Sequence, residues 1–486
     1  MMRSLYAGVS GLQNHQTRMD VIGNNISNVN TTGFKKGRVN FQDMLSQSMS
    51  GAARPTETKG GVNPKQVGLG MMVASIDTIH TQGSLQTTGN NMDMAISGNG
   101  FFILKDGDKS FYTRAGAFNL DKDGTLVNPG TGLRVQGWMS REIGGDYILD
   151  TAASTEDIII PMYSKDAAKA TQNVDFKCNL FSEMAIVDPN EIDNMSEADL
   201  VKNTWTSSIM AFDHQGSPMD LRFRMFKTDI NTWQARIEVY KDDPTNPGQK
   251  IRLDPNDINL STTEGEVGEG GNTFFNINFD NLGRIASVTD ANENTIADGA
   301  LNINLNVRVR GETPEGEVIG LAEGENQEVS MRLNLGEAGR VRTDEGVGIT
   351  QFSSGFSTKP FRQDGFTMGY LEGVKVDDTG CITGVYSNGN NRILAQVALA
   401  NFSNVGGLEK AGETNFVQSN NSGEADISPA GTVGKGKIMA GALEMSNVDL
   451  SEQFTDMIVT QRGFQANSKT IQTTDQMLQE LLQLKR

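Results

Sequence analysis

Sulfur and imidazole chemistry are nearly missing from this chain of 486 residues, which has Cys 2 and His 3. Two cysteines, Cys178 and Cys381, cannot build a disulfide framework. The histidines, His15, His80 and His214, stand apart, with no H-E-x-x-H or comparable metal-ligand spacing. No apolar run approaches the roughly 18 residues that a membrane span needs, so membrane insertion is not expected. The opening stretch MMRSLYAGVSGLQNHQTRMD lacks an unbroken apolar segment and does not read as a signal peptide. Ordinary secretion is therefore not expected, which leaves a specialised export route open. Basic residues are also short: Lys+Arg 42 against Asp+Glu 60 gives a net charge of -18, which repels phosphate backbones and argues against a nucleic-acid partner. What the chain does have is glycine, Gly 54 against Pro 12, a composition of many turns and close backbone contacts. Its length suits several domains, each large enough for a core.

The two ends read alike. Leu5, Leu12, Met19 and Ile26 recur every seven residues, with Ile22 and Val29 in a second row. Leu450, Met457, Phe464, Ile471 and Leu478 repeat the pattern, with Phe454, Leu481 and Leu482 beside them. A sustained seven-residue repeat marks a helix with one narrow seam facing another helix. Stripes this thin do not stabilise a lone helix. Either the two helices pack on a globular core, or the ends pair with each other, in this chain and in neighbouring copies.

Between the ends the signals are those of strands. DMAISGNGFFIL, SFYTRAGAFNLDKDGTLV and GLRVQGW are short strands separated by Gly and Asp turns. GVYSNGNNRILAQVALANF holds two strands about an Asn388-Gly389 hairpin signal. TWQARIEVY places Trp233, Ala235, Ile237 and Val239 on one face. LNINLNVRVR alternates Leu301, Ile303, Leu305, Val307 and Val309 against Asn302, Asn304, Asn306, Arg308 and Arg310, as a sheet with one wet face requires. DPNEIDNMSEADL and TTEGEVGEGGN read as acidic or glycine-rich loops. The order is helix, β, large β insert, β, helix: a chain that travels out and returns through nested domains.

No enzyme site emerges. There is no G-x-S-x-G elbow and no Walker loop, and DKDGTL (121–126) reads as a turn, not a calcium loop. SGNGFF (97–102) precedes a strand, so it does not cradle phosphate. Lys35, Lys36 and Arg38 could hold an anion, but such a cluster is more often a solvated face. Without a convergent site, no cofactor or metal is expected, and the chain reads as a structural or interaction protein.

Two terminal motifs carry a resemblance. NNISNVNTTGFKKGRVNFQDML (24–45) resembles the N-terminal signature of the flagellar rod and hook proteins, with Asn25-Ile26-Ser27-Asn28 and Asn30-Thr31-Thr32-Gly33-Phe34-Lys35 at its core. ALEMSNVDLSEQFTDMIVTQRGFQANSKTIQTTDQMLQELLQL (442–484) resembles its C-terminal partner. The strand motifs of roughly the first 140 and last 120 residues resemble the two halves of that family's inner β-domain. An insert of around two hundred residues between the halves favours a hook subunit over a distal rod subunit.

The resemblance implies a mainly β fold with terminal α-helices, a nested axial protein. In that scheme 1–30 and 446–486 are coiled-coil-like helices forming an inner tube, and 31–70 is a flexible linker. Residues 71–155 and 360–445 form the inner β-domain, and 156–359 an outer antiparallel β insert of one or two lobes. It also implies export by the flagellar type III apparatus and polymerisation into a curved tube that transmits torque as a universal joint. Copies of itself, the rod, the hook cap and the hook-filament junction proteins would be its partners. The location would be the flagellar hook, periplasmic in a spirochaete and extracellular otherwise.

Cys381, on an expected inner strand, reads as a small buried hydrophobe. Cys178, in KDAAKATQNVDFKCNLF, admits the same reading, and an intersubunit disulfide is a second alternative. The stretch also resembles hook proteins of spirochaetes, whose subunits become joined by lysinoalanine. That resemblance makes Cys178 the dehydroalanine source and Lys165 the nucleophile, with Asn179 supporting; Lys169 and Lys177 are the alternative lysines.

Overall fold

The computed structural model describes residues 2–484 apart from 53, 56, 58, 144–145, 193–194, 243–249, 262–272, 291–294, 296–299, 310–326, 339–347, 356–358 and 433. The loop TTEGEVGEGGN (262–272), Arg310 and the side chains of Leu301, Asn302, Arg308 and Val309 lie outside the described residues. The chain divides into two compact units, one of Met1–Tyr163, Glu372–Val385 and Asn391–Arg486, the other of Ser164–Leu371 and Tyr386–Asn390.

The first unit carries both chain ends. Helix α1 spans Met2–Ser27, and a helix of 35 residues spans Leu450–Leu484. Asp449 starts the second of these: its carboxylate accepts the N–H groups of Ser451 (2.8 Å) and Glu452 (3.4 Å), which the first turn leaves without helical partners. After α1 the chain forms an antiparallel ribbon. Strand Gly37–Asp43 pairs with Met71–Thr78, and Ser46–Ser50 pairs with Lys65–Gly68. The stretch read from sequence as a linker thus contains paired strands.

The main sheet of this unit interleaves the two halves of the chain. Its strands run in the order Cys381–Tyr386, Asn391–Asn401, Arg134–Ile143, Phe101–Asp106, Lys109–Thr113, Asn415–Val417 and Glu409–Gly412. Trp138 stands opposite Gln396, and Phe102 opposite Leu399. Phe101, Phe102, Ile103 and Leu104 are all buried, so this strand is covered on both faces, which explains its unbroken apolar run. Phe101 and Ile103 join Tyr112, Trp138, Phe402 and Phe416 in one core. Phe102 packs edge-on to Phe118 instead, at 5.1 Å.

The second unit packs two six-stranded sheets about one core. One runs Ile258–Ser261, Ala300–Val309, Gln327–Glu337, Asn173–Phe181, Gly348–Phe352, with Lys359–Gln363 along Asn173–Phe181. The other runs Trp205–Phe212, Pro218–Asp229, Thr232–Asp242, Phe274–Phe279, Ile285–Asp290, with Lys250–Arg252 on Thr232–Asp242. Trp233, Ala235, Ile237 and Val239 point inward from one sheet, and Ile303, Leu305 and Val307 from the other. Most pairs are antiparallel, as expected. Asn173–Phe181 departs from this, pairing in parallel with Gln327–Glu337 and with Gly348–Phe352. Parallel neighbours need a long return path, and the rest of the insert supplies it. A short helix, α2 (Glu197–Asn203), starts at Ser196, whose side chain accepts the Asp199 N–H.

One turn recurs in both units. At Asp121, Asp213, Asp280 and Asp377 the aspartate N–H donates to the carbonyl four residues on, and a glycine three residues on donates back to the aspartate carbonyl. Those glycines have φ between 74° and 80°, the left-handed region that a side chain disfavours. DKDGTL is therefore a turn, as its sequence suggests.

Candidate functional site

The helix pair is the first surface that a structural subunit can use. Its seam within the chain is small and polar. A β-carbon on Gly8 would lie 2.9 Å from Ile471 Cγ1, one on Gly11 2.6 Å from Asn467 Nδ2, and one on Gly463 2.8 Å from the His15 ring. Gln453, Thr460 and Thr474 are buried, and with Asn467 they form a row of seven-residue spacing. Asn25 donates to Gln453 at 2.9 Å, and Arg18 pairs with Asp456 at 3.0 Å.

Of the apolar rows read from sequence, Ile471 meets Gly8 within this seam, and exposed members lie beside it. Leu5, Leu12, Met19, Ile26, Met457, Ile471 and Leu478 are half-buried, whereas Leu450 and Phe464 are exposed. Phe454, Ile458, Val459, Leu481 and Leu482 are exposed beside them. Helices that pack through glycine, threonine and asparagine keep their leucines and phenylalanines for something else. In water such a face is unfavourable, at about 25 cal/mol per Å² of apolar area left uncovered.

Where the helices meet the β layer, a buried ion cluster ties the ends of the first unit together. Lys35 Nζ lies 2.6 Å from Glu444 Oε1 and donates to the Thr81 carbonyl at 2.8 Å. Arg114 reaches Glu444 Oε2 at 3.2 Å and the Gly98 carbonyl at 2.8 Å. Gly83 N–H donates to the same carboxylate, and Gly33 N–H to the Glu444 carbonyl. Asn447 accepts the Lys36 N–H and donates to the carbonyls of Ile79 and Thr81. Burial pulls Lys35 and Arg114 below their ordinary pKa values, and the Glu444 carboxylate opposes that shift in both.

His80 lies between Phe101 and Phe416, with ring centroids at 5.8 and 5.2 Å. Burial first, then the charges of Lys35, Arg114 and Lys410, lower its pKa to about 4, so it is neutral at pH 7. The sequence reading of Lys35, Lys36 and Arg38 as a solvated face is corrected here for Lys35, which is buried. Lys36 pairs with Glu452 at 2.6 Å and Arg38 with Asp77 at 3.6 Å. Sequence reasoning missed this cluster, although Lys35 and Glu444 both lie inside the quoted terminal motifs.

Cys178 and Asn179 sit on strand Asn173–Phe181 of the second unit. Val174, Phe176, Cys178 and Leu180 point into the core, and the Cys178 residue is only 6 % exposed. Neither cysteine is in a disulfide. Asn179 points to the other face, and its amide is committed. It donates to Ser354 O and Oγ, both at 2.9 Å, and accepts the Phe352 N–H at 3.0 Å and the Thr350 hydroxyl at 3.2 Å.

Lys165 is exposed on a two-residue strand paired with Gly369 and Tyr370, its Nζ 5.8 Å from the Tyr370 ring centre. The structure thus places Cys178 and Asn179 together and Lys165 on a different strand. Lys177 is exposed on the cysteine strand, and Lys169 is half-buried opposite Phe366. Cys381 is half-buried, and burial followed by the Asp377 charge raises its thiol pKa. Among the described residues there is no group of three or more His, Cys, Asp or Glu able to hold a metal, and no helix long and apolar enough to cross a membrane.

Long terminal helices with a polar internal seam and uncovered apolar rows, on a β layer built from both halves of the chain, define a structural subunit of an axial assembly. Four family profiles match: flagella basal body rod protein over 5–35, flagellar hook protein FlgE/F/G D1 domain over 95–175, flagellar basal body protein FlaE D2 domain over 179–366, and flagellar basal body rod FlgEFG protein C-terminal over 439–484. The flagellar hook proteins FlgE of Treponema pallidum and Borreliella burgdorferi are 51% and 50% identical, each over 100% of both chains. FlgE of Escherichia coli is 34% identical over 98% of both. A solved Helicobacter pylori hook protein, FlgE2, aligns with a TM-score of 0.48 at 14% identity, over 74% of this chain and 100% of that one. This chain belongs to the flagellar hook protein FlgE family. It is a structural subunit of the hook, not an enzyme. Likeness to the rod protein FlgG of Bacillus subtilis, 55% identical, extends over only 28% of this chain.

Proposed function

We propose that the subunit polymerises through the apolar rows of its terminal helices into a curved tube that works as a universal joint, sealed by lysinoalanine links between copies. One observation carries the polymer reading: the helices pack on each other through Gly8, Gly11, Thr460 and Asn467, while Leu450, Phe454, Ile458 and Phe464 stay exposed. In this reading the terminal helices line the inner wall of the tube. The rod, hook cap and hook-filament junction proteins are its partners. Export is by the type III route, and the spirochaete relatives favour a periplasmic site. The helix ends order fully only when a neighbour covers them, because ordering entropy opposes a thin stripe on its own. Limited proteolysis of dilute monomer tests this: both ends should be trimmed before the centre, and equal protection of ends and centre contradicts it.

The crosslink needs Cys178 of one copy and Lys165 of another. A base removes the Cys178 α-proton, the Cβ–S bond breaks and hydrosulfide leaves, giving dehydroalanine. The neutral Lys165 amine then adds to Cβ, and Cα takes up a proton, so that one hydrogen sulfide is lost per link. The attacking amine must be uncharged, and a closed, desolvated interface favours the neutral form of an amine. The buried thiol keeps the monomer inert, and strand 173–181 must open locally for the reaction. Asn179, through its bonds to 350–354, positions that strand. Positioning two chains together supplies the rate that a poor leaving group lacks.

A further inference from the structure

A cavity of about 250 Å³ lies in the first unit, where the end of α1 meets the hairpin of strands Glu409–Gly412 and Asn415–Val417. Phe34 and Phe416 give it aromatic walls, and Asn24, Asn28, Lys410 and Asn415 give it polar ones. Hydrogen bonds leave those polar groups as donors. Asn28 Nδ2 donates at 2.9 Å to the Asn24 carbonyl, which can only accept, so the Asn28 amide has one orientation. The same nitrogen donates at 2.9 Å to Asn24 Oδ1, and Asn28 Oδ1 accepts the Thr31 hydroxyl at 3.1 Å. Both side-chain oxygens are used, and Asn24 Nδ2 donates to no group among the described residues. Asn415 is only 5 % exposed, yet its side-chain amide makes no hydrogen bond among those residues. Its Oδ1 is sealed from solvent and its Nδ2 is not, so the open end of this amide is also a donor. A buried amide without a partner is costly and calls for one.

The third donor is a cation. Lys410 is exposed as a residue, but its ammonium turns inward, 5.4 Å from the Phe34 ring centre. Its hydrogen bond to the Lys35 carbonyl is long, at 3.5 Å. No carboxylate lies within ion-pairing distance of it among the described residues, although Glu413 borders the same cavity. Burial lowers the Lys410 pKa, a penalty that a bound anion offsets. Glu413 and Thr414 hold left-handed φ angles of 51° and 60°, and strain of this kind gathers at ligand clamps.

We infer that this cavity binds a carboxylate carried on a short apolar stem. Carboxylate oxygens only accept, which matches the Lys410 ammonium and the amide N–H groups of Asn24 and Asn415. The phenylalanine walls suit the stem and disfavour a bare inorganic anion. Two sources share this chemistry: a free short-chain acid, and an aspartate or glutamate side chain of a second copy, which carries Asp+Glu 60.

The test titrates butyrate into the full-length monomer at constant ionic strength and reads reductive methylation of each lysine by peptide mass spectrometry. At about ten times its dissociation constant, butyrate is expected to slow labelling of Lys410 about tenfold. Exposed Lys122 and Lys375 should be unaffected, and chloride should protect none of the three. Asn24→Asp, at an exposed position, puts an oxygen in place of the free N–H and should remove the protection. Lys410→Met keeps the stem and loses the cation, so the calorimetric heat of butyrate binding should vanish. His80 gives a second readout by nuclear magnetic resonance. The Lys410 charge helps to hold its pKa near about 4, so it should titrate higher with butyrate bound. Washed hooks then separate the sources. Lys410 protected there without butyrate assigns the carboxylate to a second copy, and labelling as fast as in monomer assigns it to the free acid. Protection by butyrate no greater than by chloride, or equal protection in Asn24→Asp and the native chain, overturns the site.

Discussion

Lys35 and Glu444 are separated by 409 residues in the sequence and by 2.6 Å in the folded chain. Each sits at the root of a terminal helix, and both are buried with Arg114 beside them. This contact makes the two ends of the chain into one structural element.

Removing one member leaves a charge buried without its partner, which typically costs about 3–5 kcal/mol. Glu444→Gln is expected to strand both Lys35 and Arg114 and to lower the stability of the first unit by about that amount. Denaturant unfolding of the monomer, followed by Trp138 fluorescence in a chain whose other tryptophans are replaced, measures it. A change below about 1 kcal/mol would contradict the role given to the pair.

His80 sets a pH dependence. Its pKa falls from 6.5 to about 4 on folding, chiefly through burial. Between those values the unfolded chain binds the proton and the folded chain does not, so stability falls as pH drops from about 6.5 toward 4. His80→Phe keeps the aromatic packing and removes the proton site. Its unfolding free energy should fall less over that range than that of the native chain. Parallel pH profiles for the two proteins would show that His80 contributes nothing.

Much of the architecture is legible in the sequence because periodicity reports burial directly. Trp233 to Val239 and Ile303 to Val307 face the core as their alternation requires. The turn at Asn388-Gly389 joins two strands, with Gly389 at φ 79°. What stayed hidden depends on long-range pairing. The seven-residue apolar rows are visible in the sequence, but only packing reveals that Gly8, Gly11, Thr460 and Asn467 fill the seam with Ile471 and leave Leu450 and Phe464 exposed. Lys35 looks like any surface lysine until Glu444 arrives from the other end of the chain. The burial of Cys178 was likewise undecidable from one strand, since its inward direction depends on the opposite sheet.

Residues 164–371 should fold alone, because both sheets and their shared core lie within that stretch. Expressed separately, the fragment is expected to give a β-type circular dichroism spectrum and a single cooperative thermal transition. A random-coil spectrum would show that the core depends on the rest of the chain.

The covalent link predicts ladders from native hooks that survive boiling with reductant. Peptide mass spectrometry should then find Lys165 joined to Cys178 with one hydrogen sulfide lost. Cys178→Ala should assemble hooks without ladders, and Lys165→Ala should leave dehydroalanine unconsumed. Ladders that persist in Cys178→Ala hooks would return Cys178 to a packing role.

Polymerisation through the apolar rows of the terminal helices is tested most directly by one substitution, Phe464→Glu, followed by electron microscopy and sedimentation of the same preparation. Phe464 is 37 % exposed in the single chain, so losing its ring should cost the monomer no more than about 2 kcal/mol and leave it folded. Between copies, the same carboxylate would sit unpaired in an apolar seam, a burial that proteins avoid. The expected result is a folded monomer that forms no tubes. Tubes of normal length from Phe464→Glu subunits would contradict the account.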